Sequence, residues 1–258
     1  MNRTKIEWAD YTFNPVTGCL NNCYYCYAKK ITNRFGEKFH KGNSKIHELV
    51  IYDDTRLDIK TDFKGDFSLG KLPVGWDSPY PFCFEPTLHY YKLNEPLEVK
   101  KPSRIFVCSM GELFGHWIPD YWIEEVINIT KKVHWHTFIF LTKNPRRYLE
   151  FEFPKNCWLG ETIDGTNDDP DRDISHGKLS KSNIEFVSFE PLIGEILPII
   201  NFYDWIIIGG LTGGYKYKRP DKTIKKIINR ARKNNIPVFL KDNLKWNEKI
   251  QEFPDESK

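Results

Sequence analysis

The chain has 258 residues, a formal net charge of +3, 40% hydrophobic and 15% aromatic residues. This composition excludes a disordered chain and allows a sizeable core. No apolar run is long enough to span a bilayer, and the opening "MNRTKIEWADYTFNP" lacks the apolar stretch of a secretory signal, so a cytoplasmic protein without a membrane partner is expected. In that reducing compartment the six cysteines are expected to be thiols or metal ligands.

In chain order, "DYTFNPV" (from Asp10) predicts a first strand. It leads into "NPVTGCLNNCYYCYAKK", which crowds Cys19, Cys23 and Cys26 together, and then a helical pattern, "YAKKITNRFG", ending at Gly36. Residues 39–103 are rich in Pro, Gly and aromatics and show no clear period. They predict an irregular insertion, either a lid over the strand ends or a surface elaboration. Strands are then predicted at "RIFVCSM" (from Arg104), "HTFIFLTK" (from His136), "CWLGETI" (from Cys157), "IEFVSFEP" (from Ile184), "DWIIIGG" (from Asp204) and "IPVFLKD" (from Ile236). Between them lie a helix from Pro119, with Trp122, Val126 and Ile129 on one face, and another from Arg219.

The strands are nearly continuous apolar runs, the pattern of parallel strands buried on both faces. The predicted fold class is α/β: a partial (β/α) barrel of about six parallel strands in a single domain over 1–258. A doubly wound sheet is the alternative. Polar residues gather where the strands end: Ser109 and Glu112, Thr142 and Lys143, Glu161, Ser188 and Glu190, Gly209 and Gly210, Lys241 and Asp242. Parallel α/β folds bind their ligands at that end.

The cysteine spacing is C-x3-C-x2-C. So short a segment can wrap three thiolates around one compact centre. A [4Fe–4S] cluster normally takes four cysteines, so three would leave one iron open to a ligand that is not protein. A zinc site completed by His40, His47 or Cys83, or plain reduced thiols, are the other readings. Cys83, Cys108 and Cys157 are scattered and read as buried apolar filler.

The spacing, with Tyr25 as an aromatic before the last cysteine, resembles the signature of the radical S-adenosylmethionine superfamily. The resemblance implies that Cys19, Cys23 and Cys26 hold a [4Fe–4S] cluster and that S-adenosylmethionine fills the open iron position. It further implies a 5′-deoxyadenosyl radical, a flavodoxin- or ferredoxin-type electron donor and sensitivity to oxygen. "IEWADYTFNPVTGC", "RIFVCSMGELFGHWIPDYW", "WLGETI", "FVSFEPLIGEI" and "NNIPVFLKD" are similar to blocks of a phage-encoded family of unknown function. On this reading Tyr25 lies near adenine, and Gly209 and Gly210 approach it through their backbone. Glu161 and Glu190, more weakly Ser109 and Ser188, meet ribose hydroxyls or the methionine ammonium. Lys143 or Lys241 pairs with the methionine carboxylate or a substrate phosphate. Cys108 is a candidate hydrogen donor, against its reading as a small buried hydrophobe.

"YKYKRPDKTIKKIINRARKNN" (from Tyr215) is densely basic, with Asp221 its one acid. Lys222, Lys225, Lys226 and Arg230 fall on overlapping helix faces suited to a nucleic-acid backbone, and Tyr215 and Tyr217 could stack on bases. A solvated outer helix is the bland alternative. Arg146 and Arg147 form a smaller basic group of the same ambiguity. Nucleic acid or a nucleotide, repaired or modified, is thus the expected substrate. A radical enzyme acting on a peptide or metabolite, and a non-catalytic metal-binding module with a nucleic-acid or protein partner, are the alternatives.

Overall fold

In the computed structural model every apolar run predicted as a strand carries one. The structure describes residues 1–36, 46–53, 56–61, 67–71, 80–165, 180, 182–194 and 200–255, with 49–53, 56–61 and 67–71 described by their backbone. The chain divides into two compact units, Met1–Phe138 and Ile139–Lys258.

The first unit opens with β1 (Asn2–Arg3), β2 (Tyr11–Phe13) and β3 (Val16–Thr17), followed by α1 (Tyr27–Phe35). Then come β4 (His47–Asp53), β5 (Arg56–Thr61), β6 (Phe67–Lys71), β7 (Thr87–His89), α2 (Glu95–Glu98), β8 (Arg104–Val107) and α3 (Asp120–Lys132). β1 pairs antiparallel with β2, and β2 lies parallel to β8. The stretch 39–103, in which the sequence shows no period, contributes regular strands. β4, β5 and β6 form antiparallel pairs, and with β3 and β7 they make a five-stranded sheet in the order β3-β7-β4-β5-β6. The parts of the predicted insertion at 39–45, 54–55, 62–66 and 72–79 lie outside the described residues. α3 buries Trp122, Val126 and Ile129, the face its period predicts, and Asp120 sits in its first turn, where a negative charge complements the helix dipole. The Trp122 indole N–H donates to Glu48 Oε1 at 2.7 Å, so this buried carboxylate has a partner.

β9 (Thr137–Thr142) begins at the boundary, and β10 (Cys157–Thr162), β11 (Glu185–Phe189), β12 (Trp205–Ile208), α4 (Asp221–Lys233) and β13 (Val238–Leu240) follow. β10 through β13 are mutually parallel. They belong to a mostly parallel eight-stranded sheet in the order β1-β2-β8-β9-β10-β11-β12-β13. The class is therefore mixed α/β. This order shows no closed barrel, and the curvature of a partial barrel is a finer statement than the pairing makes.

Side chains alternate along these strands, and the register then assigns the faces. On one face Val187, Phe189, Ile206, Ile208, Val238 and Leu240 pack against Ile224, Ile227 and Ala231 of α4. The other face carries an aromatic group. The Trp205 ring centroid lies 5.4 Å from Phe186, 5.6 Å from Trp158 and 6.0 Å from Phe239. Among the described residues no helix is long and apolar enough to cross a membrane.

Candidate functional site

The carboxyl ends of β10–β13 gather most of the predicted polar residues. Phe189, Ile208 and Leu240 are in register on the face toward α4. The next residues, Glu190, Gly209 and Lys241, therefore turn to the opposite face. There Lys241 Nζ donates to Glu190 Oε1. The two strands that carry this pair are not neighbours: β12 runs between them, and at their level it carries Gly209. A Cβ on Gly209 would lie 2.8 Å from Glu190 Cδ. The missing side chain is what lets the carboxylate cross β12 to the lysine. Gly210 has a different task. Its N–H donates to Asn243 Oδ1 at 3.0 Å, its carbonyl accepts from Asn243 Nδ2 at 3.1 Å, and an added Cβ would meet Asn243 O at 2.9 Å.

A second ion pair, Lys143 Nζ to Asp164 Oδ2, lies at the ends of β9 and β10. Both partners are largely buried. Ser188, level with Thr162 and Ile207, is fully buried, and its Oγ has no hydrogen-bond partner among the described residues. Buried hydroxyls are nearly always bonded, so an orphan one marks a place where a polar ligand would find a partner. Glu161 is not brought into this group. It is in register with Val187, on the face toward α4, so it points away from Glu190. Asp164 and Asn243 were not among the predicted site residues. Nothing in the sequence distinguishes Asp164 from other loop acids, and Asn243 differs from its polar neighbours only in its reach to Gly210.

The first unit holds the cysteine loop. Gly18 has φ +86° and sits so close to Glu85 that a Cβ would be 2.3 Å from its carbonyl oxygen, so only glycine fits there. Cys19 N–H donates to Phe84 O at 3.1 Å, and Cys19 Sγ accepts from Asn21 N–H at 3.3 Å. Asn22 takes φ +54°, Cys26 N–H donates to Cys23 O at 3.1 Å, and Cys26 caps α1, its Sγ accepting from Lys29 N–H at 3.4 Å. Burial pushes the Cys19 thiol up, Glu112 adding to the shift, and burial pushes the Cys26 thiol up as well. Tyr25 packs edge-on to Tyr24, ring centroids 5.1 Å apart. Ser109 donates from its hydroxyl to Asn14 Oδ1 at 3.1 Å, and its carbonyl accepts from Tyr27 OH at 2.5 Å. Cys108 is buried at φ +57°, its thiol pushed up to about 12 by burial.

The geometry corrects the cluster reading of this loop. Among the described residues no group of three or more His, Cys, Asp or Glu is placed to hold a metal ion. Two of the three thiols accept backbone N–H groups, one in a turn and one at a helix start. The C-x3-C-x2-C spacing here serves local backbone geometry, and the three sulfurs do not form a ligand set. His40 lies outside the described residues, so the zinc reading with that ligand does too.

Comparison with known proteins overturns the superfamily resemblance on a second ground. No curated protein and no solved structure matches the chain. The family model that does match, over residues 3–255, is no radical S-adenosylmethionine family. It is described as a protein of unknown function (DUF5131), and it takes the place of the radical resemblance. Because that match runs nearly end to end, the chain belongs to the DUF5131 family.

Proposed function

We propose that this protein is an enzyme acting on nucleic acid, gripped through the exposed face of α4 and processed at the carboxyl ends of β10–β13. The observation that carries the reading is the segregation of charge. Residues 215–233 hold nine Lys and Arg against the single acid Asp221, a net of +8 in a chain whose total is +3, so the rest carries a net of −5. Lys216, Lys218, Lys222, Lys225, Lys226 and Lys233 are exposed. On α4, Lys222, Lys226, Asn229 and Lys233 line up directly opposite Ile224, Ile227 and Ala231. That line spans about 16 Å at 1.5 Å per residue, enough to follow several successive phosphates.

The basic stretch also starts beside the strand ends. It follows Gly210 at the end of β12, and a Cβ on Gly210 would lie 3.3 Å from the Tyr217 hydroxyl. Arg219 anchors it, donating to Leu244 O at 2.8 Å and to Asp221. The Tyr215–Lys218 segment thus lies near the strand ends, and a nucleic acid that leaves the helix there would round them to reach Glu190, Lys241 and Ser188 on the face away from α4. A small co-substrate with an amino-acid head group suits these residues, since an ammonium and a carboxylate match Glu190 and Lys241. S-adenosylmethionine is the first such ligand to try. The sheet, read as the wall of a partial (β/α) barrel in a cytoplasmic protein, accommodates this arrangement.

The test is fluorescence anisotropy with a labelled oligonucleotide over a series of salt concentrations. Affinity should fall steeply with salt. Changing Lys222, Lys225, Lys226 and Lys233 to Gln together should flatten the log–log slope by about 3. Absence of binding at low salt, or an unchanged slope in the variant, would sink the reading.

A further inference from the structure

The cysteine loop retains a feature that neither a metal nor the nucleic-acid reading uses. We propose that Cys23 and Cys26 form a redox-active dithiol that closes reversibly to a disulfide at the start of α1. The Cys26 N–H bond to Cys23 O at 3.1 Å makes 23–26 a closed four-residue turn. Such a turn holds its end Cα atoms within about 7 Å, and disulfides span about 4.4–6.8 Å. The two thiols therefore need little backbone movement to join.

Their surroundings divide the labour between them. Cys19 and Cys26 pack against Ala28, Phe84 and Met110, a cluster that does not include Cys23, and all three thiols are half-buried. Cys26 stands where a Ser or Asp usually caps a helix, and its sulfur accepts from Lys29 N–H. The N–H groups at the start of α1 offset part of the rise that burial imposes on the Cys26 thiol, and the thiolate is the form that attacks a disulfide. The loop is open to reagents: Leu20, Tyr24, Tyr27, Ile31 and Phe35 are all exposed around it, Tyr24 by 56%.

The oxidant is a low-molecular-weight disulfide such as glutathione disulfide. Cys23 thiolate attacks one sulfur, the S–S bond of the oxidant breaks, and one glutathione leaves as a thiolate. Cys26 thiolate then attacks Cys23 sulfur and expels the second glutathione. The protein loses two electrons and two protons, and the oxidant becomes two thiols.

The test equilibrates the full chain in glutathione buffers of graded ratio, alkylates the remaining thiols, and maps cysteine linkage by mass spectrometry. The expected result is one reversible transition in which a Cys23–Cys26 linkage appears with the loss of two hydrogens. Cys26→Ser keeps a good capping oxygen and should stop at a glutathione adduct on Cys23. Cys19→Ser should leave the transition in place. No Cys23–Cys26 linkage at any ratio, linkage through Cys19 in its stead, or purified protein whose three thiols resist alkylation until iron or zinc is removed would each overturn the proposal.

Discussion

Gly209 and Gly210 are adjacent, and the structure predicts that alanine at the two positions fails in different ways. At Gly209 the new methyl meets the end of the Glu190 side chain, which can swing aside but must then leave Lys241. The cost should be that of a partly exposed ion pair, about 1 kcal/mol in urea unfolding. On a Glu190→Ala background, where the pair is already gone, Gly209→Ala should cost almost nothing more. At Gly210 the methyl meets the backbone carbonyl of Asn243, which cannot swing aside. Gly210→Ala should therefore cost more, about 3 kcal/mol. The reverse ranking would show that Glu190 does not cross β12 as described. Ser188→Ala offers a complementary check. Its Oγ is buried with no partner among the described residues, so the change should be neutral or slightly stabilising, and a loss above about 1 kcal/mol would mean that the hydroxyl is bonded.

At the scale of the element, α4 sorts its residues by face. Ile224 is fully buried against β11–β13, whereas Lys226, two positions on, is exposed. Ile224→Ala should cost about 2–4 kcal/mol and Lys226→Gln no more than about 0.5, both read from denaturant midpoints. Equal costs would mean the faces are misassigned. This helix shows how much was legible beforehand. Its 3.6-residue period announces both element and faces, and the strands announced themselves because burial on both sides leaves them continuously apolar. Which strand residues share a site was not legible. Glu161 and Glu190 look equivalent as carboxylates ending "WLGE" and "VSFE", and only the register puts them on opposite faces. The glycines of "IIIGG" announce close approach, but not that one yields to a side chain and the other to a backbone. The cysteine spacing was the hardest to read. Three thiols around a metal and a turn leading into a capped helix produce the same short pattern, and only the positions of the sulfurs separate them. The strands within 39–103 were masked by the Pro- and Gly-rich connections around them.

The whole molecule adds a pH dependence. His89 is completely buried, its Nε2 2.9 Å from Thr17 Oγ1 and its Nδ1 3.2 Å from Tyr91 OH. Burial, with Lys92 adding, holds this imidazole well below its usual range, so the folded protein keeps it neutral while the unfolded chain protonates it near pH 6.5. Burial also lowers His136, opposed by hydrogen bonding to the Val99 and Pro96 backbone. For a depressed histidine the unfolded state binds more protons between the two pKa values. The stabilisation is complete above about pH 6.5 and is lost as pH falls through that window. His89 alone should contribute a slope of up to about 1.4 kcal/mol per pH unit below pH 6. Urea unfolding between pH 7 and pH 5, run on the parent protein and on a His89 variant side by side, isolates the contribution of this histidine. His89→Gln, which keeps polar atoms toward Thr17 and Tyr91, should be less stable at pH 7 but should flatten the slope between pH 6.5 and pH 5. An unchanged slope in that variant would mean that His89 is already protonated in the folded protein, or reaches solvent, and would remove it as a source of acid sensitivity.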